Sequence, residues 1–214
     1  MSTEPPPASA PASRATGTRE RLIAAMTDAL RTRGLHGVGL NELLQTAGAP
    51  KGVLYHHFPG GKTELAIAAI DAVVDRMAEG LDRLLASQPD PLVATRAWLA
   101  GATRRLSDSG FESGCPLATV SLESTADDAA LRAALARAFT RLRERIAAAL
   151  LASGVPAPRA SGLAALIVAA YEGGLLQARV AQSTEPLDAV TGTLLALLGD
   201  PSHRPTPPTP GGPT

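Results

Sequence analysis

Apolar residues recur at helical spacing through almost the whole chain. Leu22, Ile23, Met26, Ala29 and Leu30 form one stripe that Gly34 ends, and Leu40, Leu43, Leu44 and Ala47 form a shorter one stopped by Gly48. A third, short helix is predicted from about Pro50 to Phe58, because Leu54 and Phe58 lie four apart and can face inward together. The next stripe is Leu65, Ala69, Val73, Met77, Leu81 and Leu84, in a helix that begins at Gly61 or Lys62 and runs to about Ser87. Beyond Pro89-Asp90-Pro91 strand signals are scarce, and helices are predicted over about 91–109, 116–124, 127–152, 158–182 and 186–198. The fold class is therefore all-α, with an N-terminal three-helix head over 16–62 and a C-terminal helical domain over 63–200. Residues 1–15 and 201–214, rich in Pro, Ala, Ser and Thr, offer almost nothing to bury and read as disordered tails.

The second and third helices meet at Gly48-Ala49-Pro50, a tight turn in which Pro50 fits a first helical position. Two short helices joined in this way describe a helix-turn-helix. With Leu54 and Phe58 turned inward, Lys51, Gly52, Val53, Tyr55, His56 and His57 are left outward or at the margin. That set suits DNA. Lys51 can meet a phosphate or a guanine edge, Gly52 lets the backbone approach, and Val53 can touch a thymine methyl. Tyr55 and His57 can donate to phosphate oxygens, Lys62 opens the next helix as a further phosphate contact, and Gln45 and Pro50 border the reading helix. A buried aromatic cluster with two solvated lysines is the plainer alternative, but it leaves the turn, the spacing and the clustered donors unconnected.

Composition sharpens this picture. Lys51 and Lys62 are the only lysines in the chain, so both fall at the candidate site. The net charge of zero hides six Lys/Arg against three Asp/Glu between Thr16 and Lys62, and twelve against sixteen between Thr63 and Asp200. A modestly basic head on an acidic body is a local footprint, not a polybasic coat. Aromatics are only 3% of residues, so the core must be built from Leu, Ala, Val and Ile. The first residues are no signal peptide and no apolar run approaches a bilayer crossing, which leads us to expect a cytoplasmic protein with no membrane partner. Cys115 is the only cysteine, so no intrachain disulfide can form. We find no metal-spaced His/Cys/Asp/Glu set, Ser-His-acid arrangement, P-loop or dinucleotide loop, and expect no enzyme activity, no metal and no cofactor.

Residues from about Arg19 to Leu65 resemble the DNA-binding domain of the TetR family of bacterial transcriptional regulators. The Leu54-Tyr55-His56-His57-Phe58 run, the Ala47-Gly48 helix end and Lys62 carry the likeness. The Gly48-Ala49-Pro50-Lys51-Gly52 turn, the Phe58-Pro59-Gly60-Gly61-Lys62 loop and the Gly114-Cys115-Pro116-Leu117 run resemble more narrowly its LmrA/YxaF-like branch. The resemblance implies a dimer, usually a repressor, that leaves its double-stranded DNA operator when a small molecule binds the C-terminal domain. One departure is Gly39, which stands where many members place threonine at the start of the second helix.

The helix over 158–182 is apolar nearly all round, and a helix apolar on every side must be buried on every side. A partner subunit is the simplest cover, and Leu166, Ala170, Gly173, Gly174, Leu194 and Leu197 of the last two helices are the expected homodimer interface. The resemblance also implies an effector cavity, for which Trp98, Phe111, Cys115, Leu117, Val120, Tyr171, Glu172 and Gln177 are candidates, each of which could equally be core. From the apolar composition we expect a hydrophobic effector. Glu172 either recognises a cationic or hydrogen-bonding ligand or pairs across the dimer with Arg179. Cys115, before Pro116 at a helix start, meets one condition for a redox sensor, although a buried bystander is the simpler reading. Arg137, Arg141, Arg143 and Arg145 alternate with Leu142 and Ile146 and read as a solvated face. An all-helical enzyme or interaction module with a vestigial head is the alternative of another class.

Overall fold

The computed structural model describes residues 17–88 and 90–199; both expected tails lie outside the described residues. Nine helices and no strands occur among the described residues. The head consists of α1 (Thr18–Thr32), α2 (Leu40–Ala47) and α3 (Lys51–His57). The fully buried Leu22, Met26 and Leu30 of α1 pack with Leu43 and Leu44 of α2 and Leu54 of α3. The α2 helix ends where Gly48 turns into the left-handed region, at φ 57°, and the Ala49 N–H bonds back to the Leu44 carbonyl at 2.9 Å. Pro50 is not the first helical residue of α3 but the residue before it. Its ψ of 150° is extended, and its carbonyl accepts the first bond of the helix from the Val53 N–H.

Phe58 ends α3 and is only 1% exposed, with the Arg19 guanidinium 5.4 Å above its ring. Its burial welds the reading helix to the rest of the head. The chain then enters α4 (Gly61–Ser87), whose 27 residues give a rod of roughly 40 Å. Gly61 sits at φ 67° and is buried, a conformation a side-chain-bearing residue would resist. The Gly60 N–H donates to the Glu64 carboxylate at 2.7 Å, closing the first turn of the rod.

The body is built from α5 (Pro91–Asp108), α6 (Pro116–Glu123), α7 (Ala129–Ala152), α8 (Ala157–Ala181) and α9 (Glu185–Gly199). The α4 helix packs against α1 at its start and against α5 and α7 further on, so one rod belongs to both halves; α8 lies between α7 and α9. Part of the arginine row on α7 is not a solvated face. Arg141 pairs with Asp71 and Asp75, and Arg145 with Asp82, so these side chains clasp α7 to α4. The pairs are half-exposed, and such pairs contribute at most about 1 kcal/mol each. Arg141→Ala is accordingly expected to lower the thermal midpoint by only a few degrees, and mainly at low salt.

Among the described residues, α8 alone is long and apolar enough to cross a bilayer by length and composition, with 25 residues and a mean hydropathy of 1.3 over its most apolar window. No single apolar run in the sequence announces this, because Glu172, Gln177 and Arg179 interrupt the apolar residues. Within the chain it is nevertheless a packed helix, burying Ile167, Val168, Tyr171 and Leu175 against its neighbours.

Candidate functional site

On α3 the two anchors divide the helix as the spacing predicts. Leu54 and Phe58 are buried, whereas Lys51, Gly52, Tyr55 and His56 are exposed and Val53 and His57 are half-buried. Tyr55, at 46% exposure, is a large aromatic ring kept on the surface, and Gln45 and Pro50 are exposed beside it. The imidazoles of His56 and His57 stand 5.1 Å apart at 66°, an edge-on arrangement that directs their nitrogens to different places. The result is a shallow convex ridge of donors on a helix whose inner side is fixed.

Lys62 departs from its expected role. Its ammonium donates to the carbonyls of Leu35 and Val38, at 2.5 and 2.6 Å, across the connection between α1 and α2. Partial burial lowers its pKa below the ordinary lysine value, a shift that the nearby Glu123 opposes. Lys62 is thus a brace inside the head and not a free phosphate donor.

The same connection is where head and body meet. The Leu35 N–H donates to the Glu123 carboxylate of α6 at 2.6 Å. The Gly114 N–H donates to the Arg31 carbonyl at 2.9 Å, and the Arg179 guanidinium of α8 donates to the Thr32 carbonyl at 3.1 Å. Sequence reasoning missed these couplings, since their acceptors are mostly backbone carbonyls and carry no sequence signal. The last turn of α1 is therefore held by α6, by α8 and by the loop before Cys115. Arg179 does not pair with Glu172 within the chain.

Above this junction a cleft of about 480 Å³ lies between α4 and α5. Trp98, Cys115 and Tyr171 line it as expected, the Trp98 and Tyr171 rings 5.6 Å apart and the indole N–H donating to the Met77 carbonyl. The other candidates fall elsewhere. Leu117 and Val120 are wholly buried in the core because both inward positions of the two-turn α6 are used for packing. Phe111, held at φ 64° in the loop after α5, packs on the core margin, and Gln177 is exposed and bonds to the Gly173 carbonyl. Leu117, Val120, Phe111 and Gln177 do not line this cleft. What the sequence did not reveal is a set of arginines from α1, α4 and α5 at the same cleft.

Cys115, in the wall of the cleft, pairs with Glu172, which does not line it. The Cys115 thiol donates to Glu172 Oε1 at 3.1 Å, and Oε2 is buried without a partner among the described residues. Burial pushes the Glu172 carboxyl up to about 7. Burial and the neighbouring carboxylate push the Cys115 thiol well above its ordinary value, and burial also raises the Tyr171 phenol. A sensor thiol needs a lowered pKa, and that of Cys115 is raised. Both residues also line a second, largely apolar pocket of about 460 Å³ beside Leu176 and Arg179.

Family models match both halves of the chain: the bacterial regulatory proteins of the tetR family over residues 22–69, and the LmrA/YxaF-like transcriptional regulator C-terminal domain over 91–193. An uncharacterized HTH-type transcriptional regulator of Mycobacterium tuberculosis is 35% identical over 187 residues, covering 85% of this chain and 94% of its own. The chain belongs to the TetR family. The HTH-type transcriptional regulator LmrA of Bacillus subtilis is 29% identical, with 84% of this chain and 96% of its own covered. Among solved structures, a TetR regulatory protein of Rhodobacter sphaeroides superposes with a TM-score of 0.73 at 28% identity, over 83% of this chain and 97% of that one. The protein is thus a TetR-family transcriptional regulator with an N-terminal helix-turn-helix.

In this TetR-family chain the surface expected to form the dimer divides in two. Leu166, Ala170, Leu194 and Leu197 line an apolar groove between α8 and α9, and Leu176 and Val180 extend the exposed apolar face along α8. Gly174 instead serves the chain itself. A Cβ there would stand 2.9 Å from Leu187 Cδ1, so its small size admits α9 and not a partner helix. Gly173 faces the pocket beside Glu172.

Proposed function

We propose that this regulator is a cytoplasmic homodimeric repressor that reads a palindromic operator with α3 and is released by a small molecule bound in the α4–α5 cleft. The observation that carries the reading is the exposed ridge of Lys51, Gly52, Tyr55 and His56 on a helix locked from behind by Leu54 and Phe58. Gln45, Pro50, Val53 and His57 border the same ridge and complete the proposed DNA contact. One reading helix discriminates too little alone; two heads spaced by one or more turns of duplex, about 34–36 Å each, make a palindrome readable. The exposed apolar face of α8 and α9, with Leu166 at 45% and Val180 at 79% exposure, supports pairing through those helices. Its output is operator occupancy, not turnover. Release is routed through the last turn of α1 and through α4, whose far end borders the cleft and whose near end carries Lys62.

Selection of bound fragments from random and genomic DNA tests this. Recovery of a palindrome whose affinity falls steeply with salt is expected. Lys51→Ala should weaken binding to all sequences and reduce the salt slope by about one phosphate contact. His57→Ala should weaken it further. Sequence-selective binding indifferent to both changes would overturn the assignment of α3.

A further inference from the structure

The α4–α5 cleft has an electrostatic character that the apolar composition of the chain conceals. Five arginines border it: Arg31 from the last turn of α1, Arg76 and Arg83 from α4, and Arg104 and Arg105 from α5, with no aspartate or glutamate among the lining residues. Arg83 has an ion pair, with Glu79 of its own helix at 3.8 Å, whereas Arg31, Arg76, Arg104 and Arg105 make none among the described residues. Arg105 lies near the Tyr171 phenol, where its charge acts against the rise that burial gives the phenol pKa. Arg31 is partly buried, and that burial, with the Arg76 and Arg105 charges beside it, acts against its positive charge, while Asp28 of the same helix supports it. Guanidinium groups cannot lose their protons at ordinary pH, and Asp28 offsets only part of the crowding at Arg31, so a further counter-charge in the cleft would be favourable.

The rest of the cleft is different. Arg76, Arg83, Arg104 and Arg105 are exposed, and Trp98 and Tyr171 are buried, so the cleft runs from a cationic mouth to an aromatic floor. Its volume of about 480 Å³ is that of a small-molecule site.

We propose that the cleft takes an amphipathic organic anion, a carboxylate or phosphate head on an apolar body. The head sits among Arg31, Arg76 and Arg105, and the body lies against Trp98 and Tyr171. An anion so placed joins the head of the protein to its body, because Arg31 belongs to α1 and Arg76 and Arg105 to α4 and α5. Arg31 also carries the carbonyl that accepts the Gly114 N–H, so a pull on its side chain acts on the turn that positions the DNA-binding helices. This inference specifies the effector class of the reading above and depends on that reading only for the step of DNA release.

Trp98 is the only tryptophan, so its emission reports occupancy of the cleft directly. Decanoate, decyl phosphate, decanol and decyltrimethylammonium share one chain and differ in head group. Titrated into the intact protein, either anion or both are expected to shift Trp98 emission at concentrations about ten-fold below decanol, with the cation weakest. The ranking of the two anions tells carboxylate from phosphate. Arg76→Gln and Arg105→Gln, both exposed positions that folding tolerates, should erase the preference for anions over decanol, as should Arg31→Met. Equal response to decanol and the anions, a preference for the cation, or no response to any of the four would overturn the proposal. Operator binding is followed in parallel. Anions that move Trp98 without releasing DNA leave the cleft's chemistry standing and overturn the effector step of the proposed function.

Discussion

Lys62→Met is expected to destabilise the protein by about 2–4 kcal/mol, a larger effect than an exposed lysine could produce. The ammonium supplies charge-assisted hydrogen bonds to the carbonyls of Leu35 and Val38, and methionine keeps much of the stem but neither bond. Both acceptors lie on the connection between α1 and α2, whose Leu35 and Val38 side chains are buried, so the two bonds hold that connection against the start of α4. For a chain of this size the thermal midpoint should fall by about 4–16 °C. The variant also separates two roles for the same residue. A brace leaves the salt slope of operator binding unchanged and lowers affinity through the loosened head. A phosphate contact would leave the midpoint alone and lower the slope by about 0.9. An unchanged midpoint would remove Lys62 from the head's internal structure.

The contrast between Lys62 and Lys51 shows where sequence stops informing. Both were legible as cations beside a helix-turn-helix, and Leu54, Phe58 and Gly48 were legible as its anchors and stop, because side-chain spacing along one helix fixes which faces point inward. Lys62 could not be read this way, since its partners are backbone carbonyls 27 and 24 residues upstream, and every residue presents a carbonyl. The cleft failed for a related reason. Trp98 and Tyr171 stand out in a chain poor in aromatics, but Arg31, Arg76 and Arg105 come from three helices, and each alone reads as surface charge. Gly174 was placed in the expected dimer interface, whereas the helix that approaches it is α9 of the same chain. A glycine marks that a helix comes near, not whether it belongs to the same chain. Glu172 was legible only as an oddity, because whether a carboxylate in an apolar helix is paired depends on what the opposing helix presents.

That opposing group is the Cys115 thiol, and it sets up the second large effect. A thiol is a weak donor, so the bond from Cys115 to Oε1 offsets little of the burial of Glu172, and Oε2 has no partner among the described residues. Burial therefore raises the carboxyl from 4.5 to about 7, which means the folded state holds a proton more tightly than the unfolded chain does. Between those two values the folded state binds more protons, so stability falls as pH rises from about 4.5 to about 7, and the full cost is present above that. Glu172→Gln removes the titration while its amide oxygen still accepts from the thiol and its amino group replaces the unpartnered acid hydroxyl. The variant is expected to match the parent near pH 4.5 and to exceed it by about 3 kcal/mol at pH 8, raising the midpoint there by about 6–12 °C. Thermal or denaturant unfolding of both proteins across that range measures it. A difference of the same size at both ends of the range would mean that the substitution acts through packing; a less stable variant at pH 8 would mean that the carboxylate has a cationic partner. With the expected result, Glu172 is a buried acid near its own midpoint at neutral pH, one wall away from the arginines of the cleft. An anion entering that cleft would then raise the carboxyl further, and its binding should draw protons from solution near pH 7.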